Sequence, residues 1–194
     1  MVKMKKTITS MIEESIETKK KSMKLTPQIE EAANLVINAL KNKRKILLAG
    51  NGGSASQASH IAAEFTGRYK IERKGMPAIS LSSDMSAITA IGNDYGFDAI
   101  FERQLEALGN EGDVLILLST SGNSSNIIKA AEKAKKMGIN TIAVLGKDGG
   151  KMKNRSDVEI IIPSDNIPRI QEAHIMIMHI ICEIADEKLF GKSN

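Results

Sequence analysis

The chain has 194 residues, 42% of them hydrophobic, which fits one globular domain with a sizeable core and predicts a single domain over residues 1–194. The formal net charge of +4 suits an anionic small molecule. With no Trp, two Tyr and four Phe, little aromatic surface is left for stacking on bases, so we expect no nucleic-acid partner.

Residues 1–43 are predicted to form two helices with apolar stripes. The stripe of the first helix comprises Ile8, Met11, Ile12 and Ile16. The second helix starts at Thr26-Pro27 and carries Ile29, Ala32, Ala33, Val36, Ile37 and Leu40. These stripes either cover the sheet of the same chain or are buried in partner subunits. Residues 1–43 are therefore a candidate oligomerisation segment in front of an α/β core over residues 44–194.

Five apolar runs alternate with helical segments in this core. They cover residues 45–49, 78–82, 114–118, 141–145 and 158–162, and a closing helix follows from about Arg169 to Lys188. Continuous apolar strands separated by helices are typical of a parallel sheet with both faces covered. The sequence therefore predicts a doubly wound five-stranded parallel sheet, in which ligands bind beyond the carboxyl ends of the strands.

The first predicted strand ends in a glycine turn, Gly50-Asn51-Gly52-Gly53, that leads into a helix. Glycines let backbone N–H groups approach a ligand closely, and a helix N-terminus favours negative charge. The same helix presents His60 and Glu64 one turn apart, where both side chains reach a common point and suit zinc or a similar ion. Such a pair is also common as a plain contact on helix surfaces.

The third predicted strand leads into a serine loop, Ser119-Thr120-Ser121-Gly122-Asn123-Ser124-Ser125. Hydroxyl groups and N–H groups at a helix N-terminus suit a phosphate dianion, although serines also cap helices and fill turns. The loop lacks the lysine of a Walker A motif, and the glycine turn does not have the G-x-G-x-x-G spacing. A phosphorylated small molecule is therefore favoured over ATP or a dinucleotide.

The closing helix contains Gln171, His174, His179 and the single cysteine, Cys182. All three histidines of the chain thus fall in two segments, and histidine with carboxylate is a ligand set for divalent ions. His174 is interpreted as a residue of the polar helix face. One cysteine excludes an internal disulfide framework and a cysteine zinc cluster, and Cys182 is interpreted as a small core residue.

Together these motifs resemble the sugar isomerase (SIS) domain family and, within it, the bacterial phosphoheptose isomerases. The resemblance covers nearly the full length and includes the glycine turn, the serine loop, Ile91-Gly92-Asn93-Asp94-Tyr95-Gly96-Phe97 and Arg169-Ile170-Gln171-Glu172-Ala173-His174. It implies an SIS-type, flavodoxin-like sandwich and an aldose–ketose isomerase. That enzyme would interconvert sedoheptulose 7-phosphate and D-glycero-D-manno-heptose 7-phosphate through an enediol, as the first step toward the nucleotide-activated heptose of lipopolysaccharide core or surface glycans.

The resemblance also implies roles for single residues. The implied substrate contacts are Asn51, Gly52, Gly53, Glu64, Asn93, Asp94, Ser119, Thr120, Ser121, Ser124 and Gln171. The implied ligands of one zinc ion per subunit are His60, Glu64, Gln171 and His179. Glu64 and His179 match the acid and base pair, and we assign Glu64 to the carbon proton and His179 to the oxygen protons. Zinc would polarise the substrate oxygens or fix the side chains.

A homotetramer with sites at subunit interfaces is a further implication of the resemblance. It bears on a difficulty in the ligand set, because Gln171 and His179 are separated by about 12 Å along a straight helix. Either Gln171 lies at a bent helix entry, or neighbouring subunits share the site. One departure from the family pattern is Pro168, which stands where some members have an acidic residue.

Two other functions use the same scaffold. A noncatalytic SIS protein that binds the replication initiator DnaA is expected to have lost part of the catalytic set, whereas Glu64 and His179 are both present here. A sugar-phosphate-sensing SIS module is usually joined to a further domain, for which we expect no room.

No apolar run approaches the roughly 20 residues of a membrane span, and the lysine-rich start lacks the apolar stretch of a signal peptide. We therefore expect no membrane association and a cytoplasmic location.

Overall fold

A computed structural model describes residues 2–191 of the chain. The described residues form seven α-helices and five strands. In chain order these are α1 (Val2–Ser22), α2 (Thr26–Lys41), β1 (Ile46–Gly50), α3 (Gly53–Thr66), β2 (Ala78–Ser80), α4 (Met85–Tyr95), α5 (Ile100–Leu108), β3 (Val114–Ser119), α6 (Ser125–Lys136), β4 (Asn140–Gly146), β5 (Val158–Ile162) and α7 (Ile167–Phe190). The strands begin and end within one or two residues of the predicted runs. Among the described residues, no helix has both the length and the apolar character of a membrane span.

The five strands form one parallel sheet in the order β2-β1-β3-β4-β5. Leu48 in β1 pairs with Ser80 on one side and with Ile116 on the other, so β1 and β3 lie next to each other near the middle of the sheet. The order of strands reverses at this point, because the chain continues from β1 outward to β2 and later returns to β3. The prediction of a doubly wound five-stranded parallel sheet is confirmed.

Apolar layers cover both faces of the sheet. Side chains such as Leu48 and Ile116 belong to a core shared with α2, α3 and α7. Their neighbours Leu47 and Leu115 point to the opposite face and pack with α5 and α6. Successive residues of a strand point to opposite faces, so a strand buried on both sides has to be apolar throughout, and this explains the continuous runs in the sequence.

The two N-terminal helices use their apolar stripes differently. In α2 the residues Ile29, Ala32, Ala33, Val36 and Ile37 are buried in the core of their own chain, and Leu40 packs against that core. In α1 the apolar residues remain between 48% and 71% exposed; they are Met4, Ile8, Met11, Ile12 and Ile16. The stripe of α2 therefore covers its own sheet, whereas that of α1 faces outward.

Polar contacts attach α1 to the start of α7. The Ser15 hydroxyl donates a hydrogen bond to Glu172 Oε2 at 2.6 Å, and the Arg169 guanidinium donates to the backbone carbonyl of Met11. A groove of about 470 Å³ runs along this junction and is lined by Ile8, Met11, Ile12, Ser15, Ile16, Lys19, Arg169 and Glu172. The exposed stripe of α1 thus forms one wall of an open groove.

Candidate active site

The glycine turn and the serine loop meet at the carboxyl ends of β1 and β3, where the strand order reverses. Between them lies a cavity of about 70 Å³ lined by Asn51, Ser54, Leu118, Ser119, Thr120, Ser121 and Ser124. A water molecule occupies ~30 Å³ in the liquid, and pockets for drug-sized ligands measure ~300–1,000 Å³. The cavity therefore has the size of a small anion such as a phosphoryl group and not that of a nucleotide. We call it the phosphate cradle.

The glycine turn has a backbone that side chains would disturb. Gly52 has a φ of +54°, which L-residues rarely adopt, and a Cβ on Gly50 would lie 2.6 Å from the carbonyl oxygen of Ser54. The side-chain amides of Asn51 and Asn126 exchange two hydrogen bonds of 2.9 Å and so connect this turn to α6. The turn is thereby held against the serine loop.

The serine loop is shaped by its own hydroxyl groups. Ser119 Oγ accepts a hydrogen bond from the N–H of Gly122, and Ser121 Oγ accepts one from the N–H of Asn123. Gly122 has a φ of +64°, and a Cβ there would collide with the carbonyl oxygen of Gly149. Ser124 stands at the N-cap of α6 but makes no capping hydrogen bond with its side chain. The serines therefore stabilise the turn and also line the cradle. Their role in the turn is thus compatible with a role in binding phosphate.

Three candidate metal ligands come together at the other end of α3. His60, Glu64 and His179 each offer a ligand atom, and these atoms all lie within 4.8 Å of one another. His60 Nε2 is 3.0 Å from His179 Nε2 and 3.2 Å from Glu64 Oε1. Two imidazoles and a carboxylate are donors that zinc prefers in catalytic sites, so this set fits the predicted ion. We call these residues the His60–Glu64–His179 trio.

The surroundings of His179 favour its neutral form. Partial burial lowers the pKa of the His179 imidazole, and the neighbouring His60 lowers it further, while the Glu64 carboxylate acts in the opposite direction. A neutral imidazole retains a lone pair with which it can bind a metal or take a proton. The ring of Tyr69 stacks on this imidazole, with 5.5 Å between the ring centroids and 26° between the planes.

The Gln171 side chain lies against Gly53 at the start of α3, next to Ser54 of the phosphate cradle. A Cβ on Gly53 would lie 2.5 Å from the Gln171 amide nitrogen, and the backbone carbonyl of Gln171 accepts a hydrogen bond from Gln57. The helix α7 is continuous from Ile167, so Gln171 lies inside it. About 12 Å of helix separates it from His179. Its assignment as a zinc ligand stays a prediction.

Asn93 and Asp94 are exposed in the last turn of α4. The Asn93 amide donates a hydrogen bond of 2.8 Å to the Asp94 carboxylate. Among the hydrogen bonds of residues 2–191, none connects this pair to the cradle or to the trio, so the substrate contact assigned to the pair also stays a prediction.

The interpretation of His174 as a polar-face residue is wrong. His174 is fully buried, and its Nε2 donates a hydrogen bond of 3.0 Å to the backbone carbonyl of Leu145. Burial lowers the pKa of His174 to about 4, although the hydrogen bond to Leu145 acts in the opposite direction. Its helical neighbours Ile170 and Ile177 are fully buried too. These apolar residues, four positions before and three after it, were the signal in the sequence that this face points inward.

His174 makes the stability of the fold sensitive to acid. In the unfolded chain its imidazole takes up a proton below about pH 6.5, whereas in the folded chain it stays neutral down to about pH 4. The unfolded state therefore binds more protons, and between pH 7 and pH 5 we expect a loss of about 2 kcal/mol of unfolding free energy from this residue. Urea unfolding of the wild type and of His174→Gln at both pH values measures the difference. An identical pH dependence of the two proteins would contradict it.

A buried ion pair that the sequence analysis missed holds the segment after α3. The side chains of Arg73 and Asp186 are each only 1% exposed, and Arg73 Nε donates to Asp186 Oδ1 at 2.6 Å. The guanidinium also donates to the backbone carbonyls of Glu64 and Phe65 near the end of α3. We call this pair the Arg73–Asp186 clasp. It connects the helix that carries His60 and Glu64 to the helix that carries His179.

Comparisons with known proteins agree with this architecture. Residues 7–146 match the model of the SIS domain family. A phosphoheptose isomerase from Helicobacter pylori is 56% identical over 92% of this chain and 93% of its own length. One from Clostridium acetobutylicum is 53% identical over 97% of this chain and 98% of its own. The solved structure of a phosphoheptose isomerase from Francisella tularensis has a TM-score of 0.91 at 41% identity and covers 94% of this chain and 97% of that one.

The alternative of a noncatalytic protein that binds DnaA receives no support from these relatives, which are isomerases by name. The identities are high over almost the whole of both chains. The chain therefore belongs to the SIS domain family and, within it, to the phosphoheptose isomerases.

Proposed function

We propose that this protein interconverts sedoheptulose 7-phosphate and D-glycero-D-manno-heptose 7-phosphate in the cytoplasm, as the first step toward a nucleotide-activated heptose for lipopolysaccharide core or surface glycans. The observation that carries the proposal is the pairing of a phosphate-sized cradle with the His60–Glu64–His179 trio in a member of the phosphoheptose isomerases. The cradle suits the C7 phosphate, and the trio offers the acid and base groups that the reaction needs.

The reaction moves one hydrogen from C2 to C1 and one from the C2 oxygen to the C1 oxygen. The Glu64 carboxylate takes the proton from C2 of the aldose, which leads to an enediol, and returns it to C1 of the enediol, which gives the ketose. The His179 imidazole takes the proton of the C2 hydroxyl and delivers one to the C1 oxygen. Each positioned group contributes ~10²–10⁴-fold to such proton transfers. The Ser119, Thr120, Ser121 and Ser124 hydroxyls, together with N–H groups at the start of α6, hold the phosphate dianion.

We propose one zinc ion per subunit, held by His60, Glu64 and His179, with Gln171 as a further ligand. The donor atoms of the first three lie within 4.8 Å of one another, which supports this set. Bound zinc supplies Lewis-acid polarisation of the carbonyl and hydroxyl oxygens at C1 and C2. Because Glu64 is both a ligand and the assigned carbon base, metal binding and proton transfer compete for its carboxylate.

We propose a homotetramer in which neighbouring subunits share each site. The position of Gln171 supports this: its amide lies at Gly53, beside the cradle of its own chain, and about 10 Å of helix separates Gly53 from His60. If Gln171 and the trio bind one zinc ion, that trio therefore belongs to another subunit. The outward-facing stripe of α1 supplies apolar surface for the assembly.

The function is tested by following sedoheptulose 7-phosphate with this protein by proton NMR in D₂O. The protein is assayed as isolated, after chelation and after zinc is returned. Appearance of the aldose with deuterium at C2 is the expected result, with activity lost on chelation and restored by zinc. An absence of conversion by the zinc-loaded oligomer would contradict the isomerase function. Conversion that chelation leaves unchanged would contradict the role of zinc alone.

Replacing Ser121 with alanine is expected to raise KM for the sugar phosphate about tenfold while kcat changes little. The lost contact is a hydrogen bond to a charged group, worth ~1.5 kcal/mol, and the phosphate is bound equally in the ground state and the transition state. Ser86, exposed in the first turn of α4, is the matched control, and Ser86→Ala should leave KM unchanged. A pure fall in kcat for Ser121→Ala would contradict its role in the cradle.

Replacing Ile12 with lysine is expected to dissociate the oligomer into smaller species and to reduce activity, because the new charge lies in the centre of the exposed stripe of α1. Light scattering after size-exclusion chromatography measures the mass, and circular dichroism checks that the helices remain. Ser10 is exposed on the opposite side of the same helix, so Ser10→Lys is the matched control. An unchanged mass for Ile12→Lys would show that this stripe is not the interface.

A further inference from the structure

We infer that Tyr69 is a positioning residue for the isomerisation, whose aromatic ring fixes the orientation of the His179 imidazole. This inference rests on the proposed function, because it concerns how His179 is presented to the substrate. Tyr69 lies in the segment between α3 and β2 and is half-buried, as is His179.

The orientation of the His179 ring depends on packing. Rotation about the Cβ–ring bond of histidine has broad energy wells, so the imidazole needs neighbours to fix its angle. A histidine that binds a metal usually donates its second ring N–H to a carboxylate or a carbonyl. Among the hydrogen bonds of residues 2–191, none involves Nδ1 of His179. Its contacts are instead Nε2 of His60 at 3.0 Å and the Tyr69 ring, whose plane is only 26° from its own.

The segment that carries Tyr69 is fastened to the helix that carries His179. The backbone N–H groups of Lys70 and Ile71 donate to Asp186 Oδ2 at 3.2 and 3.4 Å. The Lys70 ammonium donates to Glu183 at 2.6 Å and lies 5.8 Å from the centre of the Tyr69 ring. Asp186 follows His179 by seven residues, which is about two turns of α7. The segment that contains Tyr69 is thus hydrogen-bonded to α7, the helix that carries the His179 imidazole on which the Tyr69 ring stacks.

The ring and not the hydroxyl group of Tyr69 makes this contact. Within residues 2–191 the Tyr69 hydroxyl has no hydrogen-bond partner, whereas the ring face is stacked on His179. An aromatic pair stabilises one arrangement of the two rings beyond the effect of the area that it buries. Phenylalanine retains the stacking surface, and leucine has a similar apolar character without the flat face. The two substitutions therefore separate an orienting ring from a reacting hydroxyl.

The test compares Tyr69→Phe and Tyr69→Leu with the wild type in the zinc-loaded protein, with steady-state kinetics on sedoheptulose 7-phosphate. We expect Tyr69→Phe to retain kcat within about twofold and Tyr69→Leu to lose about tenfold in kcat, with KM within about twofold of the wild type in both. Thermal unfolding checks that both variants are folded. Tyr69→Met, which also lacks the ring, replaces the leucine variant if that one is unfolded.

The outcomes distinguish this inference from the function on which it rests. An inactive wild type would overturn the proposed function and the inference together. With an active wild type, equal kcat values for the phenylalanine and leucine variants would overturn the inference alone. A large loss in Tyr69→Phe would also overturn it, because the hydroxyl group would then be the part that matters. A rise in KM at constant kcat would assign Tyr69 to substrate binding instead of to the orientation of His179.

Discussion

Replacing Glu64 with glutamine is expected to remove almost all turnover, with a loss of about 10²- to 10⁴-fold in kcat. Glutamine has the shape of glutamate, but its amide cannot take the proton from the sugar carbon. The fold should remain, because the Glu64 side chain is only half-buried and the clasp contacts the backbone carbonyl of this residue. Binding of the sugar phosphate should be largely retained, since the cradle lies at the opposite end of α3.

The measurement combines kcat with exchange of the C2 hydrogen in D₂O and with the zinc content of the purified variant. Exchange reports on the carbon base directly, and the zinc content separates loss of the base from loss of a ligand. Glu72 is exposed, and within residues 2–191 its one ion pair is with Arg68, so Glu72→Gln makes the same change of charge nearby and should retain full activity. Near wild-type turnover by Glu64→Gln would show that another group removes the carbon proton.

The layout of the sheet and its loops could be predicted because each strand is a continuous apolar run that ends in small polar residues. Parallel topology then brings the ends of β1 and β3 to one edge, and the glycine turn and serine loop with them. His60 and Glu64 were predicted to share a face because they are one helical turn apart. These features depend on residues that are close together in the chain or that recur at a regular spacing, so they can be predicted from the sequence.

Other features depend on how distant segments pack. The apolar stripes of α1 and α2 look alike in sequence, yet only that of α2 is buried in the described chain. The place of Gln171 beside Gly53 is set by the docking of α7 on α3, which no local spacing reveals. Arg73 and Asp186 are more than a hundred residues apart, and a single acidic residue in an apolar helix does not identify its partner. Such pairs are known only once the tertiary structure is known.

Breaking the Arg73–Asp186 clasp has the largest expected effect on stability. We expect Asp186→Ala to lower the free energy of unfolding by about 3–5 kcal/mol, because it leaves the buried Arg73 guanidinium without a counter-charge. The backbone N–H groups of Lys70 and Ile71 lose their acceptor as well. Urea unfolding at a fixed protein concentration measures the change, since the stability of an oligomer depends on concentration.

A neighbouring ion pair provides the matched control. Lys70 and Glu183 join the same segment to the same helix with N···O at 2.6 Å, but their side chains are 60% and 39% exposed. Water and salt screen such a pair, so Glu183→Ala should cost less than about 1 kcal/mol. Similar losses for Asp186→Ala and Glu183→Ala would show that burial does not set the difference. The expected outcome is that Asp186→Ala loses the full ~3–5 kcal/mol of unfolding free energy and also has a reduced kcat under conditions where it is still folded. That result would connect the Arg73–Asp186 clasp to the positions of Glu64 and His179, because the clasp joins the two helices that carry these residues.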